Sequence, residues 1–322
     1  MNSLNILVSG VHFSGSGAVK DLLREYREIY HIPGEFDDFR RAGLVGDHLA
    51  GLISQDYPSK IKILTKNLMS SSALYSHVGL KKAIKNKLEY KAIKFGMGAV
   101  TRQPPDVIRR IYLLEKLESD FCRYGVSIDL AVDWINNVKK VYSNQSKFFL
   151  FDQPIFQGLH SSIWPEVFNP FKLIVVFRDP RDQIVDIINH NHLFKEMLTP
   201  TQGTFEVYGS GRLSAIKYHS ELIMHRAKNA KKIKNGLGDD RVLFVKFEDL
   251  ICHEVKVRKE IERFLGISGK TIRCKRRFFD PEKSIKNIGI YKNALTEVQC
   301  EALDGCLKFI DEELGFEEKY VG

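Results

Sequence analysis

The sequence lacks any long apolar run and has few cysteines. No stretch of eighteen apolar residues occurs among its 322 residues, so no transmembrane helix is predicted. The amino terminus passes from Met1 directly into a predicted strand, without the basic segment and apolar core of an export signal. The five cysteines are odd in number and show no paired metal-ligand spacing, which predicts reduced thiols, no metal site and a cytoplasmic protein.

The sequence also lacks the basic and aromatic mixture of a nucleic-acid platform, although its formal net charge is +9. The densest basic runs are 81–94, with Tyr90 as its single ring, and 273–277, with none, so neither has the interleaved aromatics of a base-stacking platform. We therefore predict no nucleic-acid partner, and a small polyanionic ligand stays a candidate. Nothing in the sequence predicts the oligomeric state.

The stretch from Leu4 to Leu23 is the most informative part of the chain. Residues 5–9 read as a strand buried on both faces of a parallel sheet, and apolar residues at helical spacing begin at Ala18. Between them, residues 10–17 read Gly-Val-His-Phe-Ser-Gly-Ser-Gly, a turn whose N–H groups and following helix N-terminus can hold a phosphate. A tight turn without a ligand is the alternative.

This loop has Ser16-Gly17 where a nucleoside-triphosphate loop needs Lys followed by Ser or Thr. That lysine reaches the β- and γ-phosphates, and the hydroxyl after it binds Mg²⁺. A loop without either residue suits a nucleotide with a short 5′ chain and no metal, such as a 5′-phosphosulfate. A P-loop kinase or NTPase would share the first stretch but needs the missing residues.

Further buried-strand patterns follow, and two of them end in polar residues. Residues 147–151 end at Asp152, which is expected at the carboxyl end of a parallel strand, where α/β folds place ligand groups. Residues 171–177 run into Arg178, whose guanidinium suits a phosphate in bidentate fashion. The alternative for Arg178 is a structural ion pair with Asp182 or Glu248.

The predicted fold is α/β, with a parallel central sheet flanked by helices in the manner of P-loop nucleotide-binding proteins. We interpret residues 1–322 as one domain. Residues 43–146 show only helical periods, which predicts a helical insertion capping the cleft and carrying acceptor specificity. Residues 33–40 read as a charged, aromatic loop and a candidate wall of the acceptor site.

Four stretches in chain order carry a family resemblance. They are Gly10-x-x-x-Ser-Gly-Ser, Arg178-Asp-Pro-Arg-Asp, Phe247-Glu-Asp-Leu and Lys286-Asn-Ile-Gly-Ile-Tyr-Lys, and the first three follow predicted strands. Together they resemble the PAPS-dependent sulfotransferases over nearly the whole chain. The resemblance implies 3′-phosphoadenosine 5′-phosphosulfate (PAPS) as donor, PAP as product, no metal, and transfer to a hydroxyl or amine of a small-molecule or saccharide acceptor. A non-catalytic protein that binds PAP or another anion is the alternative.

The resemblance also implies roles for individual residues. Residues expected to hold the nucleotide lie in residues 10–17 and just after them (the first loop), after the strand pattern at 171–177, and in residues 286–292 (the late loop). They are Gly10, Ser14, Gly15, Ser16, Gly17, Ala18, Arg178, Lys286 and Asn287. We predict Asp152 as the general base, with His190, His192 and Glu35 behind it, and expect the acceptor to contact Glu35, Phe36 and His190.

The chain departs from the family pattern at two positions. Phe13 stands where the family usually has Lys or Arg before Ser14, so we expect His12 to assist the leaving phosphate. Asp186 stands where many members have a serine for the 3′-phosphate. Because a carboxylate facing a phosphate is unfavourable, we expect Asp186 to point elsewhere or to pair with a cation.

Overall fold

The computed structural model describes residues 3–10, 13–40, 44–51, 106–143, 146–155, 163–190, 192–193 and 211–316. Its strands are β1 Leu4–Gly10, β2 Ile29–Glu35, β3 Phe148–Asp152, β4 Phe171–Phe177 and β5 Val242–Lys246. They form one five-stranded parallel sheet in the order β2-β3-β1-β4-β5. The predicted α/β class with a parallel central sheet is therefore confirmed.

Helices connect these strands. They are α1 Ser16–Leu23, α2 Asp37–Arg40, α3 Val45–Leu49, α4 Asp106–Tyr124, α5 Ile128–Tyr142, α6 Trp164–Val167, α7 Pro180–Asn189, α8 Arg212–Leu237, α9 Phe247–Cys252, α10 Glu254–Leu265, α11 Pro281–Ser284 and α12 Glu297–Lys308. Short 3₁₀ turns cover Gly269–Thr271, Ile285–Asn287 and Ile290–Asn293, and a π turn, Phe309–Glu313, follows α12. Within the described ranges, no helix is long and apolar enough to cross a bilayer.

The chain divides into two compact units. The first comprises Met1–Leu7 and Glu28–Phe171, and the second comprises Val8–Arg27 and Lys172–Gly322. In the first unit β2 pairs with β3, with Ile29 opposite Phe148 and an irregularity between His31 and Glu35. In the second unit β4 pairs with β5 from Leu173–Val242 to Phe177–Lys246.

Continuous apolar strands explain the sheet. In β4 every residue except Lys172 is buried, as expected of a parallel strand covered on both faces. Helix α7 begins at Pro180 after Asp179, whose carboxylate accepts the N–H of Arg181 at 2.9 Å. Helix α10 ends at Gly266, which adopts φ +69°. Both helix boundaries follow the local capping signals.

One sequence prediction about local structure is wrong. The predicted loop over residues 33–40 is regular: β2 runs to Glu35, and residues 37–40 form α2. The physical reason is the burial of Phe36, which is fully enclosed and returns this segment to the core. Amphipathic periodicity also predicts a final helix over 297–314, and that segment is helical: α12 is followed directly by the π turn Phe309–Glu313.

The predicted helical insertion over 43–146 falls mostly on residues that the structure does not describe. Of that range, 44–51, 106–143 and 146 are described, and they contain α3, α4 and α5. The capping role of this segment and the single-domain assignment stay predictions.

Candidate functional site

The loop after β1 is built around two glycines with little room for a side chain. A Cβ on Gly10 would lie 1.9 Å from Ser14 Oγ and 3.0 Å from the carbonyl oxygen of Val176. Gly15 adopts φ +83°, and a Cβ there would lie 2.3 Å from Cδ2 of Phe247. The close approach of Ser14 and of the Phe247 ring therefore requires glycine at both positions.

Ser14 places a hydroxyl inside this loop. Its side chain is 1% exposed, and its Oγ has no hydrogen-bond partner among the described residues. A buried hydroxyl without a partner is energetically unfavourable. The loop therefore offers a hydrogen-bonding group to a ligand.

Helix α1 starts at the end of this loop and lacks a side-chain cap. Its N-cap residue is Gly15, no side chain of the described residues caps it, and its first turn contains no acidic residue. The first N–H groups of a helix have no partner within the helix, and the helix dipole adds partial positive charge there. The N-terminus of α1 is therefore a favourable place for an anion to bind.

Arg178 lies at the end of β4, beside the same loop, and its side chain is 3% exposed. Nη1 donates to the carbonyl oxygen of Phe13 at 3.1 Å and to the carboxylate of Asp186, and Nη2 donates to the carbonyl oxygen of Asn287 at 2.6 Å. The guanidinium carbon lies 5.1 Å from the centre of the Phe247 ring. Nε is buried without a partner among the described residues.

These contacts identify the ion-pair partner of Arg178. The guanidinium does not pair with Asp182 or Glu248 but with Asp186, so Asp186 meets a cation. Arg178 also ties the late loop to the first loop, through Asn287 and Phe13. Lys286, next to Asn287, is exposed.

Asp182 anchors the late loop through hydrogen bonds to its backbone. Its carboxylate accepts the N–H of Gly289 at 2.7 Å and the N–H of Tyr291 at 3.0 Å, and its side chain is buried. Burial raises the pKa of Asp182, and the two backbone donors oppose that effect. Arg181 adds a second anchor, because its guanidinium lies 4.1 Å from the centre of the Tyr291 ring.

Glu248 fixes the turn between β4 and α7. Its Oε1 accepts the N–H of Asp179 at 2.9 Å, while its Oε2 is buried without a partner among the described residues. Burial raises the pKa of Glu248 to about 7, against the lowering effect of the bond from Asp179. Glu248 thus positions the turn that carries Arg178.

Two histidines lie against the first loop. The ring of His190 is 4.8 Å from that of Phe13, and the ring of His192 is 5.8 Å from it, measured between centroids. Nδ1 of His190 donates to the carbonyl oxygen of Asp186 at 2.8 Å, and the His190 side chain is exposed. His12, the predicted partner of the leaving phosphate, lies outside the described residues.

The remaining predicted site residues lie in the first unit, at the ends of β2 and β3. Asp152 is buried at the end of β3, opposite Glu35 in register, and its carbonyl oxygen accepts the N–H of Phe36. Glu35 pairs with Arg40.

Phe36, predicted to contact the acceptor, is fully buried and meets Phe151, Phe168 and Trp134. These aromatic contacts shield the entire Phe36 ring from solvent. Phe36 is therefore a core residue in this structure rather than a surface contact.

Three residues that shape the site had no site role in the sequence interpretation. Phe247 supports both Gly15 and Arg178, Asp182 holds the late loop, and Glu248 holds the turn after β4. A sequence signal exists for two of them, since Phe247 and Glu248 follow β5 at the sheet edge where Gly10 and Arg178 also lie. The sequence offered Asp182 only as a possible ion-pair partner of Arg178, and its actual partners are more than 100 residues away in the sequence.

The chain is similar to known sulfotransferases in both sequence and structure. The family model described as "Sulfotransferase domain" matches residues 105–298. Among solved structures, the sulfotransferase domain from the Synechococcus PCC 7002 olefin synthase is 12% identical, with 94% of each chain covered and a TM-score of 0.52. A sulfotransferase from Alicyclobacillus acidocaldarius is 11% identical, with 95% of this chain and 96% of that chain covered and a TM-score of 0.43. No curated protein matches the chain.

Proposed function

The chain belongs to the sulfotransferase domain family, and we propose that it transfers a sulfuryl group from PAPS to a hydroxyl or amine of a small-molecule or saccharide acceptor. The observation that carries the donor assignment is the loop after β1. Ser14 Oγ is buried without a partner among the described residues, and α1 begins uncapped at Gly15. The loop has no lysine, so it suits a 5′-phosphosulfate bound without a metal.

Gly10 and the segment Ser14–Ala18 would hold the 5′-phosphate. The uncapped N-terminus of α1 supports this role, because it presents N–H groups and a positive dipole end to an anion. Arg178 would hold the 3′-phosphate, with help from Lys286 and Asn287. Two observations support that assignment: Arg178 lies beside the same loop, and its Nε has no partner among the described residues.

PAPS, when bound, would supply the activated sulfuryl group. The protein's task is to place the acceptor in line, take its proton and stabilise the charge that develops on the leaving phosphate. We propose Asp152 as the base, because its carboxyl group ends β3 at the edge where parallel sheets collect ligands. His190 and His192 are the alternatives, since both rings lie against Phe13 of the first loop.

The acceptor is proposed to contact the helical segment within residues 43–146, Glu35 and His190. His190 is exposed beside the loop, which leaves its ring accessible. Glu35 is engaged with Arg40, so it would act as a neutralised pair rather than as a lone carboxylate. A cytoplasmic location is likewise proposed, and its support is the cysteine content of the sequence.

The donor assignment is tested by thermal unfolding with three ligands: PAP, ATP with Mg²⁺, and NAD. A ligand that binds only the folded state raises its stability by mass action, by about 2.7 kcal/mol at 100 times its Kd. We expect PAP to raise the Tm without metal and Mg-ATP to have little effect. A larger rise with Mg-ATP would refute the proposal in favour of a kinase or NTPase. PAP binding without turnover of PAPS would indicate a non-catalytic binding protein.

The base is tested by Asp152→Asn, which keeps the shape of the side chain and removes the proton acceptor. The kcat should fall by about 10²- to 10⁴-fold with PAP affinity retained. His12→Ala should lower kcat too, and in the wild-type protein the rate should fall above the imidazole pKa if the charged form acts. Turnover of Asp152→Asn near the wild-type rate would exclude Asp152, and His190→Ala and His192→Ala would then be compared.

A further inference from the structure

The ion pair between Arg178 and Asp186 lies where the donor's 3′-phosphate is proposed to bind. Nη1 carries two N–H groups, and it donates to two acceptors, the carbonyl oxygen of Phe13 and the carboxylate of Asp186. Nη2 donates to the carbonyl oxygen of Asn287. A bidentate phosphate contact through the Nη1 end of the guanidinium therefore requires an acceptor already present to leave.

The two members of this pair differ in exposure. The side chain of Arg178 is 3% exposed, whereas that of Asp186 is 22% exposed. Solvent therefore reaches the pair mainly on the side of the carboxylate. Phe13 and Asn287 contact the guanidinium through backbone carbonyl oxygens, so displacing either of them would require movement of a loop. A side-chain rotation of Asp186 is the smaller change.

The position of Asp186 is fixed by helix α7. Arg178 precedes this helix, and Asp186 lies within it, with its carbonyl oxygen accepting both the N–H and the Nδ1 proton of His190. The backbone of Asp186 is therefore held on two sides, and only its side chain is free to turn. The Asp186 carboxylate and an incoming phosphate are both negatively charged. Placing both next to the Nη1 end of Arg178 therefore costs electrostatic free energy.

We propose that Asp186 is a built-in competitor for the 3′-phosphate, which makes this chain discriminate weakly between 3′-phosphorylated and 3′-hydroxyl adenine nucleotides. This inference rests on the proposed function, in which Arg178 holds the 3′-phosphate. A phosphate that binds Arg178 gains a charge-assisted contact. At the Nη1 end it must displace an acceptor already present, and at Nε, which has no partner among the described residues, it meets a guanidinium whose charge Asp186 already balances. The two contributions oppose each other, so the 3′-phosphate adds little net affinity.

The test compares PAP with adenosine 5′-phosphate, which differ only in the 3′-phosphate, by isothermal titration calorimetry. The proteins are the wild type, Asp186→Ser and Asp186→Asn. Asp304→Asn is the matched control, because it makes the same charge change at an exposed position of α12. We expect the wild type and Asp304→Asn to bind the two nucleotides within about 10-fold of each other. Both Asp186 variants should bind PAP about 10- to 100-fold more tightly, with affinity for adenosine 5′-phosphate unchanged.

Removing Asp186 leaves the buried Arg178 without its counter-ion, which can lower the stability of the folded protein. Thermal unfolding of the variants, with and without PAP, is therefore measured as well. If the variants unfold at a lower temperature, saturating PAP should raise their Tm by more than it raises the wild-type Tm. An unchanged ratio of the two affinities in both Asp186 variants would overturn the competitor role and leave the proposed function standing. Failure of PAP to bind any of the four proteins would overturn both.

Discussion

Gly15→Ala tests the loop after β1 with the smallest possible change, one methyl group. Gly15 has φ +83°, and the added Cβ would lie 2.3, 2.8 and 3.0 Å from three carbon atoms of the Phe247 ring. The methyl group therefore meets two separate obstacles, an unfavourable backbone conformation and a ring that must move. The ring is itself confined, because it also lies against the guanidinium of Arg178.

The magnitude follows from these two obstacles. An L-residue in the left-handed region costs about 1–2 kcal/mol, and inserting a methyl group into a packed contact costs typically about 1–3 kcal/mol. Gly15→Ala should therefore lower the free energy of unfolding by roughly 2–5 kcal/mol, a large share of the ~5–15 kcal/mol typical of a folded protein. PAP affinity should fall as well, because the substitution moves the start of α1.

Gly17→Ala is the matched control, two residues away. A Cβ on Gly17 meets no atom of the described residues within 4 Å, and Gly17 lies in α1. Alanine in a helix is favoured over glycine by about 0.5–1 kcal/mol, so this variant should be at least as stable as the wild type. Urea unfolding at one pH measures both changes.

A double-mutant cycle identifies the obstacle. Phe247→Leu shrinks the ring that the new methyl group meets, so the stability cost of Gly15→Ala should be smaller in that background by an interaction energy of about 0.5–3 kcal/mol. Equal stability of Gly15→Ala and wild type would refute the packing argument. An equal cost in the wild-type and Phe247→Leu backgrounds would leave backbone strain alone as the cause.

Two further predictions concern buried charges, both measured by urea unfolding. Because burial raises the pKa of Glu248 from 4.5 to about 7, the folded state holds a proton that the unfolded state releases between those pH values. The free energy of unfolding should fall by about 3 kcal/mol as pH rises through that window. Glu248→Gln should lack this decrease, whereas the control Glu282→Gln, at an exposed position, should retain it. If the free energy of unfolding of wild type and of Glu248→Gln changed with pH in parallel, the reasoning would be contradicted. Arg110, whose side chain is 3% exposed, pairs with the fully buried Asp38, so Arg110→Ala should lower stability by about 3–5 kcal/mol, because it leaves a buried carboxylate unpaired. Exposed Arg123→Ala should change stability by less than about 0.5 kcal/mol; a similar effect of both arginine variants would show that the Arg110 pair is not structural.

The sequence determined the local features of this fold. Strand β4, the N-cap at Asp179 with Pro180 behind it, and the glycine end of α10 at Gly266 all form where the pattern predicts them. Each depends on residues within a few positions of one another, so their physical causes are present in the local sequence. The absence of the P-loop lysine belongs to the same group, because it is read directly from the sequence. The start of α1 does not, since the helical pattern begins at Ala18 and the helix begins at Ser16.

The tertiary structure alone decided which charges meet. Asp182, Asp186 and Glu248 were all available to Arg178, and only Asp186 pairs with it, while Asp182 holds backbone N–H groups of the late loop. The choice depends on the direction in which each side chain leaves its element, and periodicity does not specify that direction. Phe36 is similar, because its place in an aromatic core arises from contacts with residues more than 90 positions away. Contacts between distant segments form only when the chain has folded, so the sequence supplied the groups and the fold determined their partners.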